Sequence, residues 1–303
     1  MMVDGMLKTL LTLGEKIMNK KPKTHVAIVM DRSGSMGRIA QQAIDHYNEQ
    51  RTQMMENAKD QDITVSLVTF NANVFEHNWL TPAGQLAEAD SHSYHPAGAT
   101  AWYDALGYTI DKLKKTTNPD EDTAYLVISI SDGEENDSKH YGNRFNPSVI
   151  RSMIDECNAT GKWTFTYMGC SDEDIKKVAR DIGIPIENMG RWSNENAEVA
   201  AHSLRRSTAR TNMYYAARAK GQTACSNVYS DVQGLAANFV DDDNQPSSQP
   251  DFFKSNPGFE MQAQKILAQK NNCQIGDKVL AEGRNPDTTY LDLTCAKPVT
   301  FDK

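Results

Sequence analysis

Short apolar runs separated by stretches of helical periodicity constrain this chain more than any other feature. Residues 25–30 carry HVAIVM and residues 124–130 carry AYLVISI, with almost no polar interruption. Strands buried on both faces read this way, whereas a half-solvated strand alternates. Residues 63–70 (ITVSLVTF) and 74–80 read as two further strands around the turn Asn71-Ala72-Asn73, a hairpin expected at a sheet edge. Residues 163–168 read as one more strand.

Helical patterns fill the gaps. Across 38–58, Ile39, Ala43, Ile44, Tyr47, Arg51 and Met54 recur at helix spacing. Trp102, Ala105, Leu106, Thr109 and Leu113 fall at offsets 0, 3, 4, 7 and 11, and that helix should end before Asn118-Pro119. Further helices are expected over 149–157, from Ser171 as N-cap to Gly183 with Pro185 beyond, and over 196–220. Strands alternating with helices imply an α/β fold with a doubly wound, mostly parallel central sheet flanked by helices. This domain is placed at 23–220. Before it, 1–22 reads as an amphipathic helix built on Met6, Leu7, Leu10, Leu11, Leu13 and Ile17. After it, 221–303 reads as an extension: a linker over 240–258, a helix over 259–269, and strand-like runs at 278–281 and 289–293. So thin a core is expected to dock on the main domain or to mediate self-association.

Composition narrows the function. The 303 residues carry 32 Lys+Arg against 40 Asp+Glu, a net charge of −8, which argues against a chain that coats phosphate backbones, so no nucleic acid is expected as partner. Five cysteines (Cys157, Cys170, Cys225, Cys273, Cys295) form no C-x-x-C pair and are odd in number, unlike a disulfide scaffold or a zinc site. Reduced thiols, no secretory leader and no apolar run of about 18 residues lead to the expectation of a cytoplasmic chain without a membrane span.

The chemistry concentrates at two strand ends. Directly after the first apolar run comes Asp31-Arg32-Ser33-Gly34-Ser35-Met36-Gly37, and after the second comes Ser131-Asp132-Gly133-Glu134-Glu135-Asn136. In open α/β sheets ligands bind beyond the carboxyl ends of the strands, at the topological switch point. Asp31, Ser33 and Ser35 offer a carboxylate and two hydroxyls at alternating positions; Asp132 adds a second carboxylate if the two strands are neighbours. Thr100, in the Gly98-Ala99-Thr100-Ala101 turn before the helix at Trp102, adds a third hydroxyl. These are hard oxygen donors, suited to a cation such as Mg²⁺ that retains several waters.

This set resembles the metal-ion-dependent adhesion site (MIDAS) of the von Willebrand factor A family. The pattern D-x-S-x-S, then Thr, then Asp after a central strand, is met in order by Asp31, Ser33, Ser35, Thr100 and Asp132. The wording DRSGSM, GATAWYDALG and SDGEEN is most similar to stand-alone A-domain proteins of bacteria and phages, and the resemblance runs from about 24 to 220. It implies a Rossmann-like fold holding Mg²⁺ or Mn²⁺, with Ser33, Ser35 and Thr100 near the metal and Asp31 and Asp132 acting mainly through waters. One open coordination position would then take an exposed Asp or Glu of a partner protein. The resemblance implies interaction without turnover. Rival readings are an adaptor subunit of an ATPase complex, a structural or virion-assembly component, in which case the chain is virion-associated, and a metal-dependent hydrolase.

Other features read more plainly. Glu134, Glu135 and Asp137 read as a solvated acidic loop, His92 and His95 as loop residues on the same side as Thr100, and Trp102 as core. The basic helix residues Arg205, Arg206, Arg210, Arg218 and Lys220 read as a solvated outer face, and Asp241, Asp242 and Asp243 as linker charge. No Walker loop, nucleophile elbow or H-E-x-x-H is present.

Overall fold

The computed structural model of the protein describes residues 21–120, 122–132, 135–138, 145–192, 196–225 and 228. The helix expected over 1–22, Glu134, Asp241 to Asp243 and the elements expected over 240–293 lie outside the described residues.

Six strands form one sheet: β1 (Lys23–Asp31), β2 (Asp62–Phe70), β3 (Val74–Pro82), β4 (Thr123–Ile130), β5 (Trp163–Gly169) and β6 (Met189–Arg191). Their order is β3-β2-β1-β4-β5-β6, with only the β2–β3 hairpin antiparallel. Among the described residues, α1 (Ala40–Asn57), α2 (Trp102–Thr116), α3 (Pro147–Ala159) and α4 (Asp172–Ile182) lie between strands, and α5 (Ala197–Ala219) follows β6. Along β1, Val26, Ile28 and Met30 pack into one layer with α1 and α5, while Ala27 and Val29 pack into the other with α2, α3 and α4. That division explains the near-continuous apolar run: both faces of the strand are core. Residues 26–30 are 0–1% exposed, and burying each such Val or Ile contributes about 1.5–3 kcal/mol.

Helix ends follow their local chemistry. Asn146 accepts from the Val149 amide ahead of α3, and Ser171 from the Asp174 amide ahead of α4. Gly183 takes the left-handed conformation (φ 82°) that closes α4.

The structure departs from the sequence reading in three places. The helix expected from residue 38 begins as a 3₁₀ helix over Gly34–Ile39, and α1 follows only at Ala40. Strand β6 was not expected, being three residues long and pairing only with β5. The basic face of α5 is not wholly solvated. Arg218 is 1% exposed and donates to the carbonyls of Lys23, Asp122 and Gln222 and to Thr24 Oγ1. Its guanidinium thereby satisfies carbonyls at the amino-terminal ends of β1 and β4, while Arg205, Arg206 and Lys220 are exposed as expected. No helix among the described residues is long and apolar enough to cross a membrane.

Candidate metal centre

From β1 the chain winds outward through β2 to β3, and from β4 outward the other way through β5 to β6, so the switch point lies between β1 and β4. The two strands pair in parallel with Met30 opposite Ile130. Asp31 and the Ser131-Asp132 pair therefore leave the sheet side by side.

Asp31 is buried, and its carboxylate is held twice: Oδ1 accepts from the Ser33 amide at 2.6 Å and Oδ2 from the Ser131 hydroxyl at 2.5 Å. Its carbonyl accepts from the Tyr94 hydroxyl. The Ser33 and Ser35 hydroxyls lie 3.0 Å apart, and that of Ser35 donates to Asp132 Oδ1 at 2.7 Å. Four of the five expected residues thus form one hydrogen-bonded series.

Thr100 sits on the adjoining turn and is positioned through its backbone. Gly34 N donates to Gly98 O at 3.0 Å and Ala97 N to Arg32 O at 2.8 Å, clamping this turn against the β1 loop. Gly98 has φ 84°, a conformation that costs glycine little. On the other side, the Thr100 amide donates to Asn136 Oδ1 at 3.0 Å, and its carbonyl accepts from the amides of Asn136 and Asp137 at 3.0 and 3.1 Å. No hydrogen bond among the described residues joins the Thr100 hydroxyl to the other four.

Burial pushes the Asp31 carboxyl up to about 6, against the opposing hydrogen bonds from Ser131 and Ser33, and the nearby charge of Asp132 adds to the rise. A cation beside both carboxylates reverses that balance by favouring the ionised form. The described residues hold no group of three or more His, Cys, Asp or Glu suited to a metal. The donor set here is instead two carboxylates and three hydroxyls, all hard oxygen donors.

Several residues that support this site were not anticipated. Ser131 and Tyr94 fix Asp31, and Trp192, 1% exposed, donates from Nε1 to Ser131 O at 3.0 Å. Glu135 is half-buried rather than a freely solvated loop residue. Its oxygens accept from the amides of Tyr103, Asp137 and Ser138 and from the Ser138 hydroxyl, at 2.7–3.0 Å. Because α2 has Ala101 at its N-cap with no side-chain bond, Glu135 supplies an acceptor from outside the helix. Asp104, at the third residue of α2, is 0% exposed and neither carboxylate oxygen has a hydrogen-bond partner. Burial, then the charges of Glu135 and Asp137, push its carboxyl up to about 7. His92 and His95 are exposed, and Trp102 is buried, as expected.

Residues 25–198, more than half of the chain, match the von Willebrand factor type A domain family. The chain belongs to that family. Among solved structures, the A domain is similar to the von Willebrand factor type A protein from Catenulispora acidiphila, at 17% identity over 63% of this chain and 43% of that chain (TM-score 0.41). It is similar to the PilB minor pilin from Streptococcus sanguinis at 13% identity over 64% and 62% (TM-score 0.43). A third is proximal thread matrix protein 1 from the mussel byssus, whose MIDAS motif is zinc-occupied, at 14% identity over 62% and 46% (TM-score 0.39). The chain covers less than two thirds of each of these. No curated protein matches it.

Proposed function

We propose that this A domain holds a divalent cation, Mg²⁺ or Mn²⁺, with Asp31, Ser33, Ser35, Thr100 and Asp132, and through it docks an exposed Asp or Glu of a partner protein. The observation that carries this reading is the hydrogen-bonded series Asp31–Ser33–Ser35–Asp132 at the switch point, with the Thr100 turn clamped alongside. Ser33, Ser35 and Thr100 would lie nearest the cation, with Asp31 and Asp132 balancing its charge. When bound, the cation supplies Lewis acidity, and with both carboxylates acting mainly through waters its open position favours an incoming carboxylate.

Docking is favoured over attack by a serine nucleophile: the Ser33 hydroxyl pairs with that of Ser35, which donates to Asp132, and among the described residues no histidine contacts either hydroxyl as a general base.

The test is binding of a simple carboxylate, butyrate, to the full chain with and without Mn²⁺, read as paramagnetic relaxation of the ligand protons. Relaxation that disappears in Thr100→Ala is the expected result. Equal relaxation in the variant, or none in the wild type at saturating Mn²⁺, defeats the reading.

A further inference from the structure

The 3₁₀ helix Gly34–Ile39 that leaves the candidate centre carries a second feature beside it. In such a helix, side chains at i and i+3 eclipse, with a rise of about 2 Å per residue. The burial pattern repeats with that period: Gly34 and Ser35 exposed, Met36 buried, Gly37 and Arg38 exposed, Ile39 buried. Met36 and Ile39, 0% and 1% exposed, form the inward row. Ser35 and Arg38 consequently share one outward row, about 6 Å apart along the axis. Between them Gly37 adds no side chain, and a Cβ there would meet nothing within 4 Å, whereas Gly34 lies against Gly98 of the Thr100 turn. The surface from Ser35, which bonds Asp132, past Gly37 to Arg38 is therefore open to an incoming chain.

Charge gives this surface a direction. None of the ion pairs among the described residues uses Arg38. Behind the Thr100 turn, by contrast, stand Glu135 and Asp137. A partner bearing two acidic groups, one placed at the cation, is repelled on the Glu135 side and attracted on the Arg38 side. Guanidinium also matches a carboxylate in a two-pronged geometry that an ammonium cannot reproduce.

We propose that Arg38 is a specificity-determining residue that takes the second carboxylate of a diacidic partner segment, the first being held at the metal. The inference rests on the docking reading and adds to it the partner's chemistry: an acidic peptide presenting two neighbouring carboxylates, one for the metal and one for the Arg38 guanidinium.

The test compares glutarate with butyrate on the Mn²⁺-loaded full chain, using ligand-proton relaxation. Glutarate should bind about three- to fivefold more tightly than butyrate, the range expected of one partly exposed ion pair. In Arg38→Gln that preference should fall to about twofold, the statistical advantage of two equivalent carboxylates, while Mn²⁺ and butyrate affinities stay at wild-type values, and Arg38→Lys should retain part of the excess. Wild type that shows no more than this statistical factor, or Arg38→Gln that keeps the full preference, overturns the assignment of Arg38 while leaving metal-dependent docking intact. Relaxation of neither acid overturns docking and the inference together.

Discussion

Replacing Asp104 by Asn should stabilise the A domain above neutral pH, and the gain should shrink as the pH falls. Asp104 is fully shielded, its two oxygens lack hydrogen-bond partners, and its carboxyl is raised from 3.8 to about 7. With a folded pKa above the unfolded one, the native chain keeps a proton that the unfolded chain releases. Stability is therefore lost as pH rises from about 4 to about 7 and stays reduced beyond. Three units correspond to about 4 kcal/mol. Two effects reduce the benefit of the substitution. The amino terminus of α2 favours a negative charge by about 0.3–1 kcal/mol, and a buried Asn amide without partners costs about 1–3 kcal/mol. The net gain at pH 8 is then about 1.4 kcal/mol, within a range of about 0–3. Between pH 5 and pH 8 the advantage of Asn should grow by about 2–3 kcal/mol, the two units of pH over which wild type still loses its proton. Urea unfolding at both pH values measures this. An advantage independent of pH, or a variant less stable than wild type at pH 8, refutes the account of Asp104 as an uncompensated buried acid.

Other substitutions probe the frame around the site. Ser131→Ala removes a buried hydrogen bond to the Asp31 carboxylate and should cost about 1.5–3 kcal/mol in metal-free urea unfolding. Arg218→Met strips three carbonyls of their donor at the opposite end of the sheet; it should cost about 2–4 kcal/mol and leave Mn²⁺ affinity unchanged. Gly107→Ala places a Cβ 2.3 Å from Phe145 Cδ1 and should destabilise by about 1–3 kcal/mol, seen as a lower Tm.

What was legible in the sequence follows from the range of the interactions involved. Strands β1 and β4 are core on both faces, so burial alone writes their apolar runs, and the residues immediately after them reach the switch point automatically. The same holds for the Asn146 and Ser171 caps, which act within three residues. Tyr94 and Trp192 reach Asp31 and Ser131 across 63 and 61 residues, with no periodicity to announce them. Asp104 looks like an ordinary acid in the first turn of a helix, and its burial comes from tertiary packing that no local pattern records. The 3₁₀ helix at 34–39 escaped because its period of three shows in two glycines and a single pair of apolar residues.

The central claim is tested most directly by the thermal stability of wild type and Thr100→Ala during a Mn²⁺ titration. Because the Thr100 hydroxyl bonds to none of the other four residues, its loss should change the metal-free Tm little. Binding to the native state stabilises by mass action, about 2.7 kcal/mol at a hundredfold excess over Kd. For a domain of roughly 200 residues that is a rise of about 5–11 °C. Wild type should show this rise and Thr100→Ala should not. The same rise in both proteins, or none in either, contradicts the claim.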